Sequence, residues 1–292
     1  MGQAQRAVVT GATGGIGEAI ATRIASAGME VVIVGRDPSR LASAEKRIRA
    51  TVPDASLFCE VADLSLLAQT RGLAERLSAA PCPAVVVTNA AVITDPQQKT
   101  SEGLPVMLVT NHLSPYVLLR FLARTLGSSP CRFVVVGADP GSLARVPVDL
   151  DDIAAVPSRG LARIPSVAPF IYYGRTKNMN AMFVYALARR LVGTAVTVNG
   201  AHPGVISGTG LGRSTRGLLR LMDRTLDKVR PGPDTGADTP AWLATSYDVE
   251  NVTGRFFVRR KAVRTAPHTI DNARCDRLWA ESARLTGLPE NI

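Results

Sequence analysis

Short runs rich in valine and isoleucine alternate with longer segments of helical period along the whole chain, and this alternation constrains the fold more than any other feature. The expected strands are Ala7 to Thr10, Glu30 to Gly35, Ser56 to Val61, Ala84 to Asn89, Arg132 to Gly137, Ala195 to Ala201 and Arg255 to Val258. Between them, helical periodicity covers Gly15 to Ala27, Ser39 to Ala50, Leu66 to Ala79, Ser101 to Leu126, Tyr172 to Leu191 and Ala237 to Ser246. Repeated strand-helix units of this kind wind a mostly parallel, seven-stranded α/β sheet with helices on both faces. No repeat, low-complexity tract or flexible linker divides the chain, so residues 1–292 are expected to form a single domain. Two long connections, near 138–171 and 205–233, exceed ordinary loop lengths and read as lids over a site at the carboxyl edge of the sheet.

Composition removes several classes of function. The net charge of +10 comes from arginines scattered over almost every amphipathic segment, with no basic stripe to follow a phosphate backbone, so no nucleic-acid partner is expected. The four cysteines are far apart, without a CxxC pair or nearby histidine pairs, and are read as reduced thiols with no metal. Leu104 to Leu126 is apolar but interrupted by Asn111, His112, Pro115, Arg120 and Arg124, which argues for a buried helix over a membrane span. No basic start with an apolar h-region opens the chain, so the expectation is cytoplasmic.

The chemistry begins at Thr10-Gly11-Ala12-Thr13-Gly14-Gly15-Ile16-Gly17, which leaves the first strand and opens the first helix. A glycine-rich turn in that context lets a pyrophosphate approach the helix N–H groups, as in a Rossmann-type fold. The second strand ends in Gly35-Arg36 where NAD-binding folds usually carry an acid for the ribose 2′-hydroxyl. The planar, permanently charged guanidinium of Arg36, assisted by Arg40 one turn on, suits a 2′-phosphate and points to NADP(H).

The spacing of Gly11, Gly15 and Gly17 resembles the TGxxxGxG turn of the short-chain dehydrogenase/reductase superfamily. Asp63-Leu64, Asn89-Ala90-Ala91, Asn111, the YxxxK segment Tyr173 to Lys177, and His202-Pro203-Gly204-Val205 match its further motifs in family order. The region from Thr239-Pro240 through Thr253-Gly254-Arg255-Phe256-Phe257 to Leu278-Trp279 resembles the retinol-dehydrogenase-like branch. The resemblance implies that Tyr173 gives its proton to a carbonyl oxygen while NADPH delivers hydride to carbon. It also implies that Lys177 lowers the phenol pKa and holds the nicotinamide ribose, and that Asn111 anchors a relay water. Asp63 and Leu64 would meet the adenine, and Pro203, Gly204 and Val205 the nicotinamide side. Tyr172 is out of register, since Thr176 lies four residues on, and His112 and His202, lacking an acid partner in sequence, receive no catalytic role.

One position departs from the family. Its fifth strand ends in two serines, the second hydrogen-bonding the substrate oxygen, but here the pair aligns with Gly137-Ala138. Ser142 could stand in if its loop folds back, a substrate hydroxyl could polarise the carbonyl internally, or the register could be shifted. The first reading is an NADPH-dependent ketone reductase acting on a fairly large apolar, polyketide-like or other secondary-metabolite substrate. The alternatives are an NADP-binding sensor or scaffold without turnover, and a non-redox cyclase or dehydratase. Resemblance also implies a homodimer or tetramer, unless the C-terminal region caps that surface.

Overall fold

In the computed structural model, residues 5–143, 146–156, 160–204, 206 and 231–292 are described. The apolar runs form β1 (Arg6–Thr10), β2 (Glu30–Gly35), β3 (Leu57–Val61), β4 (Val85–Thr88), β5 (Cys131–Val136), β6 (Val196–His202) and β7 (Arg255–Val258), all parallel. An antiparallel edge strand, β8 (Lys261–Val263), completes an eight-stranded sheet of order β3-β2-β1-β4-β5-β6-β7-β8. The expected count of seven is corrected by β8. Its turn, Arg259-Arg260, has φ values of +49° and +59°, the left-handed pair of a two-residue hairpin that asparagine and glycine usually signal. The Arg260 guanidinium bonds Asp238 and its N–H donates to Thr239 Oγ1 at 3.1 Å, which offsets the strain.

Helices cover both faces because successive strand side chains point to opposite sides. On one face α1 (Gly15–Ser26), α2 (Pro38–Thr51) and α6 (Pro233–Thr245) pack on Val9, Ile33, Val87, Val134 and Ala201. On the other, α3 (Leu67–Ala79), α4 (Val106–Thr125), α5 (Ala168–Arg190) and α7 (Asn272–Thr286) pack on Val8, Val86, Phe133, Val135 and Val198. The order reverses between β1 and β4, and such a switch point opens a crevice at the carboxyl ends of the strands.

Three expectations about helices change. The continuous helix over Ser101 to Leu126 starts only at Val106, after Gly103 and Pro105, and contains a π-helical turn at Val109–Leu113. Pro115 explains the register change, since it has no N–H for the Asn111 carbonyl four residues back. By length and composition α4 could cross a membrane, and 83% of its apolar window is buried inside the fold. Helix α5 begins at Ala168, so the expected first lid is four residues shorter at that end, and α6 begins at Pro233, a residue with pre-set φ at N1. Finally, α7 lies beyond the last expected element. Asp271 caps it by accepting from Arg274 N–H at 2.8 Å, and Gly287 (φ +63°) ends it. Most of the second lid, 207–230, together with Val205, lies outside the described residues.

Candidate active site

At the switch point a groove of about 650 Å³ is lined by Gly11, Thr13, Gly14, Gly15, Ile16 and Gly17 from the β1–α1 turn, and by Arg36 and Arg40 beyond β2. Asp63 and Leu64 beyond β3 and Asn89, Ala90 and Ala91 beyond β4 complete the expected set. All these sequence-chosen residues therefore share one cavity.

The turn is held open by close packing. A Cβ on Gly17 would stand 2.3 Å from the Gly11 carbonyl oxygen, and Gly11 (φ +67°) lies against Ala90. Asn89 ties this turn to β4, its Nδ2 donating to the Thr10 carbonyl at 3.1 Å, while Thr10 Oγ1 accepts from the N–H groups of Asn89 and Ala90 at 3.0 and 3.2 Å. Behind β2, Thr13 Cγ2 would sit 2.4 Å from any Cβ on Gly35. Asp63 accepts from both the backbone and the hydroxyl of Ser65 at 2.9 and 2.8 Å, fixing its carboxylate on the wall. Arg36 and Arg40 are exposed and, among the described residues, make no ion pair, whereas the neighbouring Asp37 is spent on the N-terminus of α2.

Further lining residues escaped the sequence reading: Ser65, Val92, Ile93, Thr94, Gln98, Val106 and Thr110 among them. Thr94 and Gln98 belong to an aperiodic loop that carries no motif. It is pinned from a distance, for Glu102 accepts the N–H groups of Leu67 and Ala68 at 2.8 and 3.0 Å and caps α3, whose own cap residue, Leu66, has no side-chain acceptor.

Beyond the groove lie Asn111, Tyr173, Lys177, Pro203 and Gly204. The Asn111 side chain is fully committed: Oδ1 accepts from Val92 N–H at 2.8 Å, and Nδ2 donates to the Val92 carbonyl and to Thr176 Oγ1, each at 3.0 Å. Thr176, which the motif reading passed over, thus ties α4 to α5. Lys177 Nζ donates to the Val136 carbonyl at 2.9 Å and stands 5.5 Å from the Tyr173 ring centroid. Burial pulls the lysine down to a pKa of about 8 and pushes the Tyr173 phenol up from its ordinary value. Desolvation is what raises the phenol, the lowering expected from the lysine does not enter that balance, and the phenol holds its proton.

Tyr172, by contrast, is wholly buried, its hydroxyl donating to the Ala154 carbonyl at 3.4 Å, as a core tyrosine should. His112 is also core, bonded to Ser282 at 2.8 Å and held by burial at a pKa of about 4. Ala138 is half-buried just past β5. Ser142 falls in the single turn Pro140–Leu143, and its side chain lies outside the described atoms.

The sequence model of the short chain dehydrogenase family matches residues 5–143. Retinol dehydrogenase 14 of Mus musculus is 31% identical across 96% of this chain and 85% of its own length. Polyprenol dehydrogenase of Mus musculus is 33% identical across 96% of this chain and 83% of its own. The chain belongs to the short-chain dehydrogenase/reductase family. It falls in the retinol-dehydrogenase-like branch and is an NAD(P)-dependent oxidoreductase of carbonyl and alcohol groups. Among solved structures, an uncharacterized protein from Mycobacterium paratuberculosis shares the fold with a TM-score of 0.75 at 23% identity, covering 99% of this chain and 95% of that one. The groove has the form that the family's nicotinamide dinucleotide requires: the glycine turn leaves the start of α1 free of Cβ atoms where a pyrophosphate would lie, and Asp63 and Leu64 line the wall beyond β3.

Proposed function

We propose that this short-chain dehydrogenase/reductase is an NADPH-dependent ketone reductase acting on a fairly large apolar substrate, of the size of a polyketide or similar secondary metabolite. The observation that carries the cofactor choice is the pair Arg36 and Arg40, exposed at the groove wall without an ion pair among the described residues. Two unpaired guanidiniums beside the ribose position favour a 2′-phosphate over a bare hydroxyl. Exposed apolar side chains support the substrate class: Leu161 and Ile164 in the connection into α5 and Phe170 in its first turn, the helix that carries Tyr173. The relatives named for retinol and polyprenol point the same way.

The dinucleotide, when bound, supplies hydride to the carbonyl carbon. Tyr173 donates its phenol proton to the carbonyl oxygen, and its raised pKa keeps that proton in place at neutral pH. Lys177, fixed by the Val136 carbonyl, would hold the ribose and return a proton to the phenolate. Because the Asn111 amide is spent on Val92 and Thr176, the atom left to anchor a relay water is its main-chain carbonyl, which Pro115 deprives of its usual helical partner.

A second reading, a dinucleotide-binding protein without turnover, is favoured by one observation, the alanine at position 138. Transfer of deuteride from labelled NADPH to a panel of aromatic and polycyclic ketones, read by mass spectrometry, separates the two. Transfer by the native enzyme and none by Tyr173→Phe is the expected result. No transfer by a protein that binds NADPH would overturn the reductase and favour the binding protein.

A further inference from the structure

We propose that His112 of α4 and Ser282 of α7 are positioning residues for this reduction: their buried hydrogen bond fixes the π turn of α4, and through it the setting of Asn111 and Tyr173. The inference rests on the reductase reading.

Helix α4 is buried, yet it carries His112, Tyr116 and Arg120 at four-residue spacing, which stacks them along one face. Each is at most 2% exposed and each is tied to the end of the chain. His112 Nε2 meets Ser282 Oγ at 2.8 Å, the Tyr116 hydroxyl donates to the Trp279 carbonyl at 3.0 Å, and Arg120 donates to the Asn291 carbonyl at 2.9 Å. Apolar contacts let one helix turn on another, whereas a buried polar group accepts only the register that meets its partner. Ser282 sets the direction of its bond. Its one hydroxyl proton goes to the Leu278 carbonyl at 2.7 Å, so its oxygen accepts from His112 Nε2–H.

Register matters here because the turn at Val109–Leu113 takes up one residue more than an α turn. Pro115 removes the ordinary bond to the Asn111 carbonyl, but it does not decide which side chains the wider turn presents to which neighbours. A slip of one position would swing a side chain by about 100° round the axis, and Asn111 would leave both Val92 and Thr176. Adjacent residues prevent it. Asn111 is held by Val92 and α5, and His112 by α7, so one setting satisfies both. Thr176 passes that setting on, its hydroxyl accepting from Asn111 Nδ2 at 3.0 Å and donating to the Tyr173 main-chain carbonyl at 2.7 Å. The peptide joining Asn111 to His112 thus links two pairs of hydrogen bonds, running from the Leu278 carbonyl to the backbone of the proton donor. No proton travels along it, and neither His112 nor Ser282 touches substrate.

The test compares Ser282→Ala with Thr286→Val, one turn further along α7, where the hydroxyl bonds only carbonyls of its own helix. Without turnover, hydrogen exchange read by mass spectrometry over Val106 to Tyr116 should quicken in Ser282→Ala and stay native in Thr286→Val. In steady-state reduction, Ser282→Ala and His112→Gln should each lower kcat about 10- to 100-fold, with KM and the Kd for NADPH within a factor of about two of native. The double variant should be no slower than either single one, because both remove the same bond. Thr286→Val should keep native kcat. Native exchange and native kcat in Ser282→Ala overturn the positioning role while leaving the reductase intact. Equal losses in Ser282→Ala and Thr286→Val, or losses that multiply in the double variant, overturn it in favour of packing. A native protein that binds NADPH yet reduces no carbonyl overturns the reductase, and the positioning role with it.

Discussion

The ring of Phe256 lies against the bare Cα of Gly137: a Cβ there would stand 2.8 Å from Cζ. The same ring would meet a Cβ on Gly200 at 2.4 Å, so one aromatic side chain on β7 covers two glycines on β6 and beyond β5. The first of the family's two serines is therefore excluded here by packing, while Ala138, half-buried and next in the chain, meets no such obstacle. Gly137→Ser is expected to cost about 1–3 kcal/mol in urea unfolding, and adding Phe256→Leu should recover most of it. Ala138→Ser should leave stability unchanged and raise ketone turnover severalfold by restoring a donor to the carbonyl oxygen. Unchanged turnover would assign that donor to the substrate or to Ser142.

Which parts of this arrangement were legible in the sequence follows from how local their causes are. Gly11, Gly15 and Gly17 answer to a turn of a few residues, and Tyr173 and Lys177 to one helical turn, so spacing read together with the order of the other motifs singled them out. The parallel sheet was readable because each buried strand is a nearly continuous apolar run. Hairpin β7–β8 was hidden because arginines occupy a turn that glycine and asparagine usually mark. The π turn in α4 depends on what Pro115 withholds from Asn111, a detail that hydrophobic periodicity does not register. Helix α7 carries readable caps in Asp271 and Gly287, but few apolar residues. Its Trp279 is buried by distant residues: Arg120 and Arg190 flank the ring at 4.5 and 4.2 Å, Tyr116 packs edge-on and Phe183 stacks on it. Helix α7 lies on α5 and, through the His112–Ser282 bond, on α4, packing that joins segments far apart in the chain.

Arg36 and Arg40, without an ion pair among the described residues, make cofactor choice measurable. Arg36→Ala should weaken NADPH binding by about 10- to 100-fold, the scale of a lost charge-assisted hydrogen bond pair, and leave NADH binding within a factor of about two. Arg40→Ala should act in the same direction more weakly, because its guanidinium reaches the groove from one helical turn away, 3.9 Å from a Cβ built on Gly14. Fluorescence titration with both dinucleotides checks this, and equal losses for the two would remove the 2′-phosphate from the assignment.

Lys177 links the site to stability. Its folded pKa of about 8 lies below the ordinary lysine value of 10.5, so between those limits the unfolded chain binds more protons than the folded one. Stability from this group therefore rises with pH from about 8 to 10.5, and the cost of burying the ammonium is present in full below pH 8. Lys177→Met should abolish turnover yet raise unfolding free energy at pH 7, with the advantage shrinking toward pH 10. Urea denaturation of both proteins at the two pH values is the measurement. A variant less stable at pH 7 would mean that the bond to Val136 outweighs the burial cost.

Glu102 offers the cleanest separation of binding from chemistry. Its carboxylate bridges the loop carrying Thr94 and Gln98 to the N-terminus of α3, where two backbone N–H groups and the positive end of the helix dipole receive it. Nothing else about it touches Tyr173 or Lys177. Glu102→Ala should cost about 1 kcal/mol of stability by uncapping α3 and should raise the Kd for NADPH severalfold by freeing the groove wall. The single-turnover rate at saturating NADPH should stay native, because Tyr173 and Lys177 keep their own supports, the bond from Thr176 Oγ1 to the Tyr173 main-chain carbonyl and the Val136 carbonyl under the ammonium. Glu102→Gln, which keeps one acceptor oxygen but loses the charge, should fall between the two. A fall in the single-turnover rate for Glu102→Ala would mean that the loop also positions the reacting groups, and that the cap on α3 reaches the chemistry through Val92 and Asn111.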